Sequence, residues 1–146
     1  MKDDRRLGPG DLPEPLTLRL YDGARAVFES DRHWLHPLFD LAPFLAGADP
    51  ALPARARLVD RVTGRAAAFL VARLGIRELH TALLSRRAVP VLDRFGVRTT
   101  CATRVDRILC ATEDELAAIE DPERAWSLLQ ARRTRALAAH PPGGFP

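Results

Sequence analysis

Lysine is almost missing from this chain: Lys2 is the only one, and arginine carries the rest of the positive charge. Cysteine is scarce too. Cys101 and Cys110 are too few for a disulfide framework, so both are expected as free thiols in a reducing compartment. No apolar run approaches the roughly eighteen residues that a membrane helix needs. Met1-Lys2-Asp3-Asp4-Arg5-Arg6 has no apolar stretch behind it, unlike a secretory signal. A cytoplasmic protein with no membrane partner is therefore expected. Aromatic residues make up only 6% and do not interleave with a basic stripe, which argues against specific nucleic-acid binding. The dinucleotide fingerprint, the phosphate-binding P-loop and the His-Glu-x-x-His zinc motif are all absent.

What remains is a globular chain of 146 residues, 47% hydrophobic, enough for one core without staples. A net charge of +3 held by arginine suits a carboxylate or phosphate ligand. A GC-rich bacterial genome would also enrich Arg, Ala, Gly and Pro together. Prolines and glycines mark residues 1–15 as a flexible lead-in, residues 16–138 as a single domain and residues 139–146 as a flexible tail.

Leu16, Leu18 and Leu20 alternate with polar neighbours, Asp22-Gly23 follows, and Ala24–Ser30 returns. This pattern predicts an N-terminal β-hairpin. Apolar spacing predicts a helix over His33–Leu45, with Pro37 and Pro43 restricting its bounds, then a loop over 46–54. Arg55–Asp60 reads as a short strand ending at a carboxylate, and Gly64–Leu74 as a helix apolar almost all round. Ile76–Leu84 is a strand with little alternation, as in a sheet covered on both faces, which places His80 in the core. Ser85 caps a helix that Pro90 delays or kinks, and Val97–Val105 is a further strand. Thr112-x-x-Glu115 is a capping box, and Asp121-Pro122 opens a last helix with its stripe at Trp126 and Leu129. Strands alternating with helices pair in parallel, so the expected fold is α/β: a three-layer α/β/α sandwich with a mixed sheet.

The two helix openings, around Thr63-Gly64 and Ser85, are expected to meet at the carboxyl edge of the sheet, where doubly wound sheets bind ligands. Asp60, Arg61, Thr63, Gly64, Arg65, Ser85 and Arg86 are the candidate ligand-binding residues, with Arg87 beside them. Each arginine taken singly also fits a solvated helix start, and Asp60 also fits a cap or a partner for loop N–H groups. Asp60 as a base and Cys110 as a nucleophile are the catalytic candidates, although no histidine lies near Cys110 in sequence and a buried inert thiol also fits. His33-x-x-His36 lacks a third ligand, so no metal and no cofactor are expected.

The hairpin–helix–strand–helix order resembles the cytidine-deaminase-like fold. Zinc deaminases need His-x-Glu or Cys-x-Glu at one helix opening and Pro-Cys-x-x-Cys at the next. The openings here, Val62-Thr63-Gly64-Arg65-Ala66 and Leu84-Ser85-Arg86-Arg87-Ala88, hold no such ligand, so the expectation is not a zinc-dependent deaminase. Over Leu16–Leu129 the chain resembles the domain-of-unknown-function 1893 family, whose fold is deaminase-like without the zinc motifs. The resemblance rests on Tyr21-Asp22-Gly23 with Val27-Phe28-Glu29-Ser30, on Asp60-x-x-x-Gly64-x-Ala66-Ala67, and on Ala82-Leu83-Leu84-Ser85. A family cysteine matches Cys110. The family's preceding Gly-rich stretch and following Pro-Met-Glu are replaced here by Asp106-Arg107-Ile108-Leu109 and Ala111-Thr112-Glu113.

Three functions follow as expectations. The first is a deaminase-like domain without zinc that binds a small anionic, nucleotide-like ligand in a regulatory or accessory role. The second is a zinc-independent enzyme using Asp60 or Cys110. The third is an interaction module that forms a homodimer through its hairpin edge or its last helix.

Overall fold

A computed structural model of the chain describes residues 12–106, 108, 116 and 118–139. Five strands form one sheet: β1 (Leu18–Asp22), β2 (Arg25–Ser30), β3 (Arg57–Thr63), β4 (Glu78–Ser85) and β5 (Arg98–Val105). Their spatial order is β2-β1-β3-β4-β5. β1 runs antiparallel to both neighbours, whereas β3–β4 and β4–β5 are parallel. The sheet is therefore mixed, with the antiparallel hairpin at its N-terminal side, and the helices complete an α/β architecture consistent with a three-layer sandwich.

The hairpin turn is Gly23-Ala24, one residue after the expected Asp22-Gly23, because Asp22 still pairs with Arg25; Gly23 takes φ 63°, as the first position of such a two-residue loop allows. Helix α1 (His36–Ala46) starts three residues later than the expected His33, with Pro37 in its first turn, where a missing N–H costs nothing. The stretch expected as a plain loop contains a helical turn, α2 (Leu52–Arg55). Pro53 opens that turn, and the Asp49 carboxylate accepts the Ala51 N–H at 3.0 Å. Arg55 belongs to this turn and not to the strand. Its guanidinium meets both Asp22 oxygens at 3.1 Å and Asp49 at 2.9 Å, which holds α2 against the hairpin tip.

Helix α3 (Arg65–Arg73) is buried from Arg65 through Val71, in keeping with its lack of a polar face. It packs on α1, on α4 (Val89–Arg94) and on α5 (Pro122–Ala139). Ala125 and Leu129 of α5 join the core, and the Trp126 ring lies 4.8 Å from Phe39 of α1. Ser85 caps a 3-10 turn (Arg86–Ala88) by accepting the Arg87 N–H at 3.1 Å, and Pro90 then falls in the first turn of α4. The delayed start expected from Pro90 is what the chain adopts.

β4 departs from the expected uniform burial. Leu79 and Thr81 are buried, Glu78 and His80 are half-buried, and Ala82 is exposed. His80 is thus not enclosed in the core: its Nδ1 pairs with the Thr100 hydroxyl at 2.6 Å. The Thr112–Glu115 capping box lies outside the described residues, as do residues 1–11 and 140–146. No helix among the described residues is long and apolar enough to cross a membrane.

Candidate ligand pocket at Asp60

Asp60 does not end its strand, as its position before Thr-Gly suggested. β3 continues to Thr63, and Asp60 pairs with Leu18 on one side and Thr81 on the other. β1 begins at Leu18, so the last residues of β3 outrun their antiparallel partner. The Arg61 N–H is shared between the Thr17 carbonyl at 3.2 Å and Asp60 Oδ1 at 2.9 Å, and the Val62 N–H also donates to the carboxylate. The Thr63 hydroxyl donates to Oδ2 at 3.2 Å. These donors favour the ionised form, yet loss of solvent outweighs them and pushes Asp60 up to about 7. Each carboxyl oxygen has two lone pairs, so this web does not exhaust its capacity.

A cavity of about 130 Å³ opens beside this carboxyl. Asp60, Arg61 and Val62 line one side, and Thr17, Arg32, His33, Trp34 and Pro37 line the other. The Thr17 hydroxyl bonds the carbonyls of Ser30 and Arg32, which ties the segment leaving β2 to the start of β1. Arg32 pairs through Nη1 with Asp40 at 2.7 Å. Arg61 binds the Leu16 carbonyl through Nε at 2.8 Å and Glu14 through Nη2 at 3.2 Å. Both guanidiniums are positioned by these contacts, and each keeps donors outside them. Trp34 sits at φ 58°, a left-handed conformation rare for a bulky residue, with its ring edge-on to His36 at 5.2 Å.

Apart from Thr63, which bonds Asp60, the remaining candidates are drawn to a different place. Thr63 is fully buried, and register brings Gly64 alongside Ser85 at the carboxyl edge. Arg65, however, reaches across both openings. Its Nε donates to the Leu116 carbonyl at 2.7 Å, Nη2 donates to Ile119 and pairs with Glu120 at 3.0 Å, and Nη1 approaches the Arg87 carbonyl at 3.4 Å. A buried guanidinium so engaged stitches α3 to the segment before α5. Arg86 pairs with Asp106 at 3.1 Å, with both side chains largely in solvent. The structure brings Asp60 and Arg61 together in one pocket and sets Gly64, Arg65, Ser85 and Arg86 apart from it. Cys110 lies outside the described residues.

Sequence reasoning missed Arg32 and Trp34 as site residues, and weighed His33 only as a metal ligand with His36. The missing signal is topological. β2 is antiparallel to β1, which is antiparallel to β3, so β2 runs parallel to β3 and its exit arrives at the same sheet edge as Asp60. His33 faces the Asp60 cavity, whereas His36 packs on Trp34, so the two do not share a site. Two larger open grooves lie elsewhere. One, about 450 Å³, follows Gly75, Arg77 and Arg94; the other, about 430 Å³, follows the Asp22–Arg55–Asp49 bridge. The charges of the second are spent on one another, and in neither does an acid keep its proton near neutrality as Asp60 does.

A mixed α/β sheet with a small polar pocket at its carboxyl edge defines the class. The family model for the domain of unknown function DUF1893 matches residues 14–132, and the chain belongs to that family. Among solved structures it is similar to a DUF1893 family protein (TM1506) from Thermotoga maritima. The TM-score is 0.71 at 20% identity, over 80% of this chain and 80% of that one. At that identity the likeness speaks to fold alone. No curated protein matches the chain.

Proposed function

We propose that this domain binds a small anionic ligand, nucleotide-like in carrying an oxyanion group, at the Asp60 pocket, in a regulatory or accessory role. The observation that supports the reading is the pairing of Asp60, whose carboxyl keeps its proton to about 7, with Arg32 and Arg61 around one small cavity. Near neutrality a protonated carboxyl donates a hydrogen bond to an anion, and guanidiniums bind it with charge-assisted bonds. A cavity of about 130 Å³ is below the several hundred Å³ of pockets that enclose a drug-sized ligand. That suits a phosphate or carboxylate head. The strand order and hairpin also support a deaminase-like fold, and its two helix openings carry Thr63-Gly64-Arg65 and Ser85-Arg86-Arg87 where zinc ligands would stand.

A second reading makes Asp60 a general acid or base, because a group titrating near neutrality is suited to moving protons. Titration calorimetry at pH 6.5 with inorganic phosphate and a nucleoside monophosphate separates the cases. Binding to the wild type that drops at least about tenfold in Arg61→Ala supports the ligand reading. Absence of heat from both probes would overturn it.

A further inference from the structure

We propose that the body of the ligand is a planar aromatic or heteroaromatic ring lying on Trp34, with its oxyanion group entering the cavity beside Asp60; this rests on the oxyanion reading above.

At about 130 Å³ the cavity is below the range that encloses a whole drug-sized ligand, so the body of a larger molecule lies at its mouth. Trp34 and Val62 are the large hydrophobic residues left exposed among the described ones, at 37% and 44%, and both line this one cavity. Scattered exposed apolar side chains need no explanation; two converging on one polar pocket do. The backbone at Trp34 is also unusual. A φ of 58° disfavours a bulky side chain, and glycine or asparagine would sit there with less strain. The ring is nonetheless fixed, edge-on to His36 at 5.2 Å and tilted against Phe39 at 6.3 Å. A rigid, part-exposed indole loses little freedom on binding, which suits it to stack a flat π-system. Pro37 extends the same apolar wall.

Calorimetry on the full chain with methyl phosphate and phenyl phosphate tests the ring separately from the head. Phenyl phosphate is expected to bind at least about fivefold tighter, in line with single-ring stacking on an aromatic side chain. Trp34→Leu should erase that preference, so that phenyl phosphate binds the variant no tighter than methyl phosphate does, and Trp34→Phe should retain most of it. The Phe variant also guards against a folding defect in the Leu one. Equal affinity of the wild type for the two probes overturns the ring proposal while the oxyanion reading stands. If neither probe binds, both fall.

Discussion

At the scale of single residues, Asp60 is where folding and the proposed function compete. It accepts from the backbone N–H groups of Arg61 and Val62 and from the Thr63 hydroxyl, yet burial outweighs these donors and raises its proton affinity. The unfolded carboxyl releases its proton near pH 4 and the folded one near 7, so between those values the unfolded state binds fewer protons. Stability conferred by this group is complete below about pH 4, declines as pH rises and levels off above about 7. Asp60→Asn keeps an amide oxygen for the backbone and removes the titration. Urea unfolding at pH 5 and pH 8 should therefore show a smaller decline for the variant than for the wild type, and an equal decline would place the titrating group elsewhere. Arg65 illustrates the opposite outcome. Sequence offered it to a ligand, and the fold uses it on the carbonyls of Leu116 and Ile119. Trp126 is likewise committed within the chain, between Phe39 and the Arg73 guanidinium 4.0 Å over its ring.

At the scale of elements, the punctuation residues were the most legible part of the chain. Gly23, Gly75 and Gly96 each take the positive φ that ends a strand or a helix. Asp121 accepts the Glu123 N–H at 3.2 Å and opens α5 as its Asp-Pro pair suggested. Gly75, at φ 81°, follows α3, and a Cβ there would meet Pro53 only at an ordinary 3.5 Å. Gly75→Ala should thus cost backbone strain alone, about 1 kcal/mol by chemical denaturation, with an unchanged dependence on denaturant. Element interiors were less legible. The Pro- and Gly-rich stretch 46–54 concealed α2, because that turn is held from outside, by Asp22 on the hairpin, as well as by Asp49. Asp60 was misplaced for a similar reason: Arg61 to Thr63 look like a turn, and only pairing with β4 extends the strand through them.

At the scale of the whole molecule, α3 explains why α5 belongs to the domain. A helix buried from Arg65 to Val71 needs cover beyond the sheet, and Ala125 and Leu129 supply part of it. A chain ending at residue 121 should expose that apolar surface and lose cooperative unfolding; near-UV circular dichroism and a thermal melt would show it. A sharp native melt from the truncated chain would mean that α3 is covered by other means. The fold class, the hairpin and the alternation of strands and helices were all readable, since apolar period and turn chemistry are local properties. The candidate site was readable only in part. Asp60 and Arg61 were found, while Trp34 and Arg32 were missed, about twenty-five residues away along the chain.

The sequence by itself determined which segments become strands and helices, where most of them stop, and that the openings after β3 and β4 hold no zinc ligands. Those outcomes depend on side-chain periodicity, caps and residue chemistry, which act within a few residues. The tertiary structure alone decided which residues share a pocket. The order β2-β1-β3 places the exit of β2 beside the end of β3, so Trp34 meets Asp60. Arg65 instead turns to carbonyls delivered from the far end of the chain. Such pairings depend on strand order and long-range closure, and neither leaves a mark in a local pattern of residues.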